Sequence, residues 1–346
     1  MPRRTITLVI AAAGVLACLV IMFVLPVPYV ALLPGPTYNT LGPLAGKPVI
    51  QVSGHRTFPT TGHLNMVTVS YIGGPGASPP FNIFRAIQAW LSPHEAVVPQ
   101  SELFPPNSTQ QQVVKQDTEE MAGSQQMAQA AALCQLGIKF TVYDSVISLI
   151  PGLPAAKVLH TGDEITAVNG TPLGCRMSLT NLIQAHPAGQ RITLTVLRKG
   201  RQMNIPITTA SYKGGGPVIG VYAAEAFRFP FTVKINIGSI GGPSAGMMFA
   251  LGIIDKITSM NLADGRFIAG TGEITIGGAV QPIGGIQQKM AGARAAGATI
   301  FLTPAANCPD TVGAVPPGMR LVKVSTLSGA IAALKALREG KPIPGC

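Results

Sequence analysis

The sequence contains little charge and few aromatic side chains. Charged residues make up 11 % of its 346 residues and aromatic residues 5 %, with a single tryptophan. The formal net charge is +11, but the basic residues form no dense cluster, so the composition argues against nucleic-acid binding. No GxxxxGK[ST] motif occurs, which excludes a P-loop for ATP in this sequence.

Histidine is absent from the C-terminal part of the chain, and the cysteines are widely spaced. All five histidines precede residue 187, which excludes a Ser-His-Asp triad within the C-terminal part. No CxxC spacing or Cys/His cluster occurs, so we expect no metal site and no cofactor. Four cysteines lie beyond the N-terminal apolar run and allow three disulfide pairings, among which the sequence does not choose; the simpler expectation is buried or free thiols. These four are Cys134, Cys175, Cys308 and Cys346.

An apolar run near the N-terminus is long enough to cross a bilayer as a helix. Thr7 is the one polar side chain among residues 6–25. Arg3 and Arg4 precede the run, and the next basic residue is Lys47, so the positive-inside rule predicts a cytoplasmic N-terminus. We expect residues 1–30 to be an uncleaved signal anchor of a single-pass cell-membrane protein, with the remaining chain extracytoplasmic. A cleaved signal peptide is the alternative.

Residues 31–132 combine strand and helix patterns. Residues 49–52 and 64–69 flank a turn-rich loop, which predicts a β-hairpin. Two helices are predicted at 81–91 and 110–136. The second helix carries the acidic residues Asp117, Glu119 and Glu120, which we expect on a solvated helix face.

A strand–turn–helix pattern surrounds Ser244. A β-rich run at 231–237 ends in glycines, and an apolar run at 245–254 follows Pro243, a residue favoured in the first turn of a helix. Backbone N–H groups at a helix start lack partners and favour negative charge. Ser244 is therefore in position to attack a carbonyl with oxyanion donors beside it. The alternative is that Ser244 only caps the helix.

Lys289 lies on a predicted helix that follows Gly284 and Gly285. Ile286 and Ala293 place the lysine at the border of the apolar stripe. A lysine can act as a general base only when it is neutral, so its pKa must fall from about 10.4 to about 7–8, and burial is the usual cause. The alternative is an ordinary lysine whose amine reaches solvent.

The motifs GPSAG, TGEIT and PIGGxxxK occur in this order, and together they resemble the proteolytic domain of Lon-family serine–lysine endopeptidases. The resemblance covers about residues 217–327, within an expected proteolytic domain of residues 217–340, and implies that Ser244 is the nucleophile and Lys289 the general base. It also implies that Thr271 helps to hold the lysine amine. Gly241, Gly242 and Pro243 are the supporting residues of the nucleophile loop. ATP-driven Lon enzymes often carry an acidic residue at the position of Gly241.

Residues 133–210 resemble a PDZ domain, through PGLPAA followed by GDEITAVNG. PDZ domains bind extended C-terminal tails by adding a strand to a sheet edge, with backbone N–H groups holding the carboxylate. Leu136, Gly137 and Ile138 are the candidate carboxylate-binding residues. The alternative is a degenerate PDZ domain that serves only as a spacer. A flexible joint is predicted from Lys213 to Pro217.

The resemblances imply an α+β protein with an N-terminal transmembrane helix, a small barrel-like PDZ domain and a C-terminal Lon-type α/β proteolytic domain. The N-terminal hairpin is expected to pair with the rest of the protease fold. The expected function is ATP-independent cleavage of proteins or peptides at the membrane, with the PDZ domain recruiting or gating substrate. Assembly into a homo-oligomer is a further expectation. The alternative function is a membrane-tethered PDZ adaptor built on an inactive protease scaffold.

Overall fold

The computed structural model describes residues 3–212 and 214–346. The first residue of the predicted joint, Lys213, lies outside the described residues. The helices in the described part are α1 (Arg3–Val24), α2 (Ile83–Leu91), α3 (Gln100–Leu103), α4 (Gln110–Leu136), α5 (Leu179–Gln184), α6 (Gly246–Ile257), α7 (Ile286–Ala295) and α8 (Leu327–Arg338), with 3₁₀ segments at Pro154–Lys157 and Ala305–Thr311.

The strands form a mixed six-stranded sheet, an antiparallel six-stranded sheet and several two-stranded ribbons. They are β1 (Tyr29–Asn39), β2 (Pro43–Leu44), β3 (Lys47–Pro48), β4 (Ile50–Ser53), β5 (His63–Gly73), β6 (Ala96–Pro99), β7 (Thr141–Leu149), β8 (Glu164–Val168), β9 (Thr171–Pro172), β10 (Arg191–Arg198), β11 (Arg201–Thr208), β12 (Ala210–Ser211), β13 (Pro217–Val218), β14 (Val221–Arg228), β15 (Thr232–Ile235), β16 (Phe267–Gly270), β17 (Glu273–Ile274), β18 (Val280–Gln281), β19 (Ile300–Pro304) and β20 (Arg320–Val324).

The mixed six-stranded sheet joins the N-terminal segment to the C-terminal domain. Its strand order is β20-β19-β16-β5-β1-β6. The pairs from β20 to β5 are parallel, whereas β1 pairs antiparallel with both β5 and β6. Three strands from the first hundred residues therefore complete the sheet of the C-terminal domain.

The predicted hairpin of residues 49–69 is wrong. β4 pairs with β15 near residue 232, and β5 pairs with β1 and β16. The strand patterns are present, but each strand pairs with a segment distant in sequence and not with its neighbour across the turn. The expected pairing of this region with the rest of the fold is present through β5 and β16.

α6 forms the centre of the largest core. Every residue of α6 except Lys256 is buried, and Phe249 is fully enclosed. The C-terminal half of α4 packs against α6, and Ala128, Ala131, Ala132 and Leu133 of α4 belong to this core. Burying a large apolar side chain contributes about 1.5–3 kcal/mol, so this contact fixes α4 against α6.

The PDZ region forms the antiparallel six-stranded sheet, with strand order β11-β10-β8-β7-β14 and with β9 paired to β8. β14 lies beyond residue 210, and it pairs antiparallel with β7 over the whole length of both strands. The free edge of β7 is therefore covered by a strand from the connection between the two domains.

The expectation of buried or free thiols is wrong for four of the five cysteines. Cys134 at the end of α4 forms a disulfide with Cys175 of the PDZ region, and Cys308 forms one with Cys346. Sequence alone left three pairings open because pairing depends on which Cα atoms approach in space. Cys18 lies in α1 and is free.

Candidate active site

The nucleophile loop is fixed from two sides by hydrogen bonds. The N–H of Gly242 donates to the Asp117 carbonyl oxygen at 3.1 Å, and the Ser124 hydroxyl donates to the Pro243 carbonyl oxygen at 2.9 Å. On the other side, the carbonyl oxygen of Ser244 accepts from the Gly272 N–H at 2.8 Å. The loop is therefore held between α4 and the segment before β17.

Ser244 does not cap α6. The residue at the helix N-cap is Ala245, which has no side-chain capping bond. The Ser244 hydroxyl forms no hydrogen bond with any residue in the described ranges, and Ser244 lines a cleft of about 600 Å³. No hydrogen bond to these residues therefore occupies the Ser244 hydroxyl, which leaves it free to act as a nucleophile.

Lys289 lines the same cleft from α7. Ile286, Met290 and Ala293 anchor this helix in a core that includes Val67 of β5. The Lys289 side chain is 4 % exposed. Burial lowers its pKa to about 8, while the nearby carboxylate of Glu273 acts in the opposite direction. The amine is therefore partly neutral near physiological pH.

Thr271 contacts the nucleophile loop. It is fully buried, and its hydroxyl donates to the Ser244 carbonyl oxygen at 3.0 Å. Within the described ranges, no hydrogen bond joins Thr271 to Lys289, and none joins Ser244 to Lys289. The structure thus brings Ser244 and Lys289 into one cleft and gives the Thr271 hydroxyl a partner on the serine, not on the lysine.

Gly241 is packed against a carboxylate from α4. A Cβ added to Gly241 would clash with the side chain of Asp117. Asp117 lines the cleft, and burial followed by the repulsion of Glu120 raises its pKa. The expectation of a solvated acidic face is therefore wrong for Asp117, whereas Glu119 is exposed beside Lys115.

Sequence reasoning did not single out Ser124 or Glu273. Glu273 lies close enough to Lys289 to affect its pKa, and its own pKa is raised by burial and by Glu120, with Lys289 acting against this. The TGEIT motif contains Glu273, so its position two residues after Thr271 was the available signal. Ser124 carries no local signal, because its role depends on the packing of α4 on the nucleophile loop.

Leu136, Gly137 and Ile138 lie at the end of α4. Gly137 is the C-cap in the left-handed conformation, and Leu136 and Ile138 pack against the largest core. A separate cavity of about 310 Å³ in the PDZ region does not include them. It is lined by α5 and by residues 217–223 of the β13–β14 segment.

Comparison with known families assigns both domains. Residues 232–333 match the Lon protease (S16) C-terminal proteolytic domain, and residues 134–209 match the PDZ domain. The chain carries a Lon-type proteolytic domain and a PDZ domain. The Lon-type match contains Ser244, Thr271 and Lys289, and it supports a serine-type peptidase.

Curated relatives match the Lon-type part. Lon protease 1 of Sorangium cellulosum is 38 % identical over 126 residues, covering 35 % of this chain and 15 % of that protein. Lon protease 1 of Bacillus subtilis is 28 % identical over 157 residues, covering 43 % and 19 %. Lon protease of Roseiflexus castenholzii is 44 % identical over 69 residues, covering 20 % and 8 %. The chain thus matches less than a fifth of the length of each of these relatives.

A solved structure covers the PDZ part. The PDZ domain of the SdrC-like protein from Listeria innocua covers 23 % of this chain and 92 % of that chain, at 24 % identity and a TM-score of 0.23.

Proposed function

We propose that this protein is a membrane-anchored serine endopeptidase that uses Ser244 and Lys289 as a catalytic dyad and does not require ATP. The observation that carries the proposal is the buried amine of Lys289, with a pKa of about 8, in the same cleft as the unpartnered hydroxyl of Ser244. The absence of a P-loop motif from the sequence supports ATP independence.

In the proposed mechanism, the neutral Lys289 amine takes the proton of the Ser244 hydroxyl as Oγ attacks the scissile carbonyl carbon. The C–N bond then breaks, and the Lys289 ammonium returns the proton to the leaving amine. A water molecule, deprotonated by Lys289, attacks the resulting ester, and Ser244 Oγ leaves with a proton from the lysine. A rotation of the Ser244 or Lys289 side chain brings the two groups into hydrogen-bond contact before attack.

The oxyanion is stabilised by backbone N–H groups at the start of α6. Gly242 donates to Asp117, and Pro243 has no N–H, so neither supplies a free donor. The N–H groups of Ser244 and Ala245 donate to no residue in the described ranges. We assign the oxyanion hole to these two groups, and the dipole of α6 adds to their effect. Thr271 positions this loop through its bond to the Ser244 carbonyl.

The PDZ domain recruits or gates substrate through the cavity between α5 and the β13–β14 segment. Leu179 and Ile183 give this cavity apolar lining from α5, and residues 217–223 also line it. An extended peptide tail fits such a groove. β14 continues through residues 229–231 into β15, which precedes the nucleophile loop, so occupancy of the groove acts on the strand that leads to Ser244.

The exposed polar residues of α5 allow a test of the groove. Thr180 and Gln184 line it, whereas the exposed Asn181 on the same helix does not. We expect Thr180→Arg with Gln184→Arg to change the KM for peptides with a free apolar C-terminus and to leave that for amidated peptides unchanged. Asn181→Arg is the matched control, and equal effects of both variants would rule out the groove.

The N-terminal helix α1 is long and apolar enough to be a membrane span or a signal sequence. The flanking Arg3 and Arg4 support a cytoplasmic N-terminus with the catalytic domain outside. Retention of the full chain in membranes after carbonate extraction tests the anchor, and release of a shorter soluble form would contradict it.

The decisive test compares Ser244→Ala with Ser239→Ala in the full chain, using an unfolded protein substrate without ATP. Both serines line the cleft, and Ser239 is exposed. We expect the first change to abolish cleavage and the second to retain it. Cleavage that survives Ser244→Ala would exclude the dyad, and activity that rises with protein concentration would indicate a homo-oligomer as the active form.

A second function is a membrane-tethered PDZ adaptor on an inactive protease scaffold. The observation that favours it is the missing hydrogen bond between Ser244 and Lys289 in an otherwise well-packed cleft. Tail-peptide binding by the full chain without turnover of any substrate would support the adaptor, and turnover lost on Ser244→Ala would exclude it.

A further inference from the structure

Helix α2 presents its large apolar side chains outward. Phe84, Ile87, Trp90 and Leu91 form what we call the α2 apolar face, and all four are exposed. Trp90 is 77 % and Leu91 73 % exposed, although both are large side chains of the kind that proteins usually bury. Trp90 is also the single tryptophan of the protein.

The small residues of α2 face the protein instead. At about 100° per residue, the four side chains of the α2 apolar face fall within an arc of about 120°. Ala86 and Ala89 lie on the other side of the helix, and Ala89 is fully buried in a cluster with Ala31 of β1 and Phe81. The small alanine side chains allow α2 to pack closely on the protein, and the large side chains of the α2 apolar face are therefore directed outward.

The start of α2 is bonded to the end of α1. The Asn82 side chain donates to the carbonyl oxygen of Phe23 at 2.9 Å and accepts from the Arg85 N–H, which caps α2. The rings of Phe23 and Phe84 are in contact, with centroids 4.5 Å apart and planes tilted by 30°. The α2 apolar face is therefore continuous with the last turn of the apolar helix α1.

We propose that α2 is an interfacial helix that lies in the outer surface of the bilayer, with the α2 apolar face among the headgroups and upper acyl chains. The end of a spanning helix marks the level of the membrane surface, and Phe23 brings α2 to that level. Tryptophan at this depth keeps its ring in an apolar layer and its N–H near water. The inference rests on the proposed anchoring by α1.

The attraction to lipid is hydrophobic and not electrostatic. Arg85 is the one basic residue of α2, and its guanidinium forms a salt bridge with Glu95 at 2.6 Å. Binding therefore requires no anionic lipid, in contrast to basic interfacial helices. A bilayer of zwitterionic lipid is the partner that fits this surface.

Interfacial binding of α2 also orients the catalytic cleft. The buried side of α2 packs on β1, and β1 supplies Leu32 and Pro36 to the wall of the cleft. Docking of α2 thus fixes the cleft at a set height and orientation near the membrane.

The single tryptophan makes a direct test possible. The full chain is reconstituted into phosphatidylcholine vesicles, and Trp90 fluorescence is measured with aqueous iodide and with lipids brominated in the upper part of the acyl chain. We expect blue-shifted emission, strong quenching by the brominated lipids and weak quenching by iodide. Ile87→Gln with Leu91→Gln, both exposed positions, should increase iodide quenching several-fold.

A matched control moves the tryptophan to another exposed apolar position. Trp90→Phe with Val312→Trp places it at a residue that is 82 % exposed and outside α2, and we expect full quenching by iodide. Iodide quenching of Trp90 in protein that resists carbonate extraction would overturn the interfacial helix and leave the anchor intact. Blue-shifted emission that depends on protein concentration, without bromolipid quenching, would assign the face to a second copy and also overturn the proposal.

Discussion

Burial affects two lysines of the proteolytic domain, Lys256 and Lys289, and of the two only Lys289 lines the cleft with Ser244. Burial lowers the pKa of both Lys289 and Lys256. The Lys256 amine donates to the Leu41 carbonyl oxygen at 3.1 Å and lies beside Asp255. The Lys289 amine lines the cleft with Ser244 and forms no hydrogen bond within the described ranges.

The two sites lie at opposite ends of the same helix. Ser244 precedes the first turn of α6, and Lys256 lies in its last turn. At the C-terminal end, the helix dipole, Asp255 and the Leu41 carbonyl all favour the charged form of Lys256 and oppose the effect of burial. At the cleft, the carboxylate of Glu273 favours the charged form of Lys289, and burial outweighs it. Burial lowers the pKa of both lysines, so burial alone does not make a general base. Lys289 differs from Lys256 because its amine has no hydrogen-bond partner within the described ranges.

The largest expected difference between the two lysines is in catalysis. We expect Lys289→Met to lower kcat/KM by about 10³-fold or more, because it removes the proposed general base of the dyad. Lys256→Met should leave kcat/KM within a few-fold of the parent. Peptide cleavage by the two purified variants measures this, and equal losses would show that buried lysines act only through stability.

The same change, Lys289→Met, should increase the stability of the fold although it decreases kcat/KM. Because the folded protein lowers the Lys289 pKa from about 10.4 to about 8, the charged lysine destabilises the fold at pH 7 by about 3 kcal/mol. The unfolded state binds more protons between these two values, so the free energy of unfolding should rise with pH from about 8 to about 10.4. Lys289→Met should therefore raise Tm at pH 7 and remove this pH dependence.

Lys256→Met is the control in the same unfolding experiment. It should give a smaller gain or a loss, because it leaves the Leu41 carbonyl without its donor. A Tm for Lys289→Met at or below that of the parent would contradict a cost of burying the charge.

The pH profile of cleavage gives the next effect in size. Only the neutral amine of Lys289 accepts a proton, so kcat/KM should rise about tenfold per pH unit below its pKa and level off above about 8. Lys256→Met should retain the same profile. A profile that is flat between about pH 6 and about pH 10, about two units on either side of the expected midpoint near 8, would exclude a lysine base.

The smallest expected effect concerns the carboxylate beside the base. Glu273 favours the charged form of Lys289, so Glu273→Gln should move the midpoint of the pH profile to lower pH. Glu119→Gln is the matched control, because Glu119 is exposed beside Lys115 and should leave the profile unchanged. A shift to higher pH would show that Glu273 does not act on Lys289 through its charge.

Local patterns in the sequence predicted much of the fold and the principal site residues. α4 has the predicted bounds, because helical periodicity is read within one segment. Ser244 and Lys289 were singled out because each stands in a short motif with a local chemical meaning. The hydrogen-bond partner of Thr271 was not predictable in this way, since a buried hydroxyl turns to whichever acceptor the packing offers.

The pairing of strands that are distant in sequence was not predicted from the sequence. β4 pairs with β15 across about 180 residues, and no local pattern distinguishes this from a hairpin. The cover of β7 by β14 and the contact of Asp117 with Gly241 arise in the same way. The carboxylate-binding residues were predicted at Leu136–Ile138, before the first strand, whereas the cavity that we propose as the peptide groove is bounded by the last strand.

The Cys134–Cys175 disulfide adds a covalent cross-link between the body of the PDZ domain and the end of α4. The chain itself enters the PDZ domain through residues 137–140, between α4 and β7, and leaves it through β14. The disulfide ties Cys175, 41 residues further along the chain, to the helix whose earlier turns hold Gly242 and Pro243. Reducing this bond would leave both chain connections in place and would remove the cross-link that restricts rotation of the PDZ domain relative to α4.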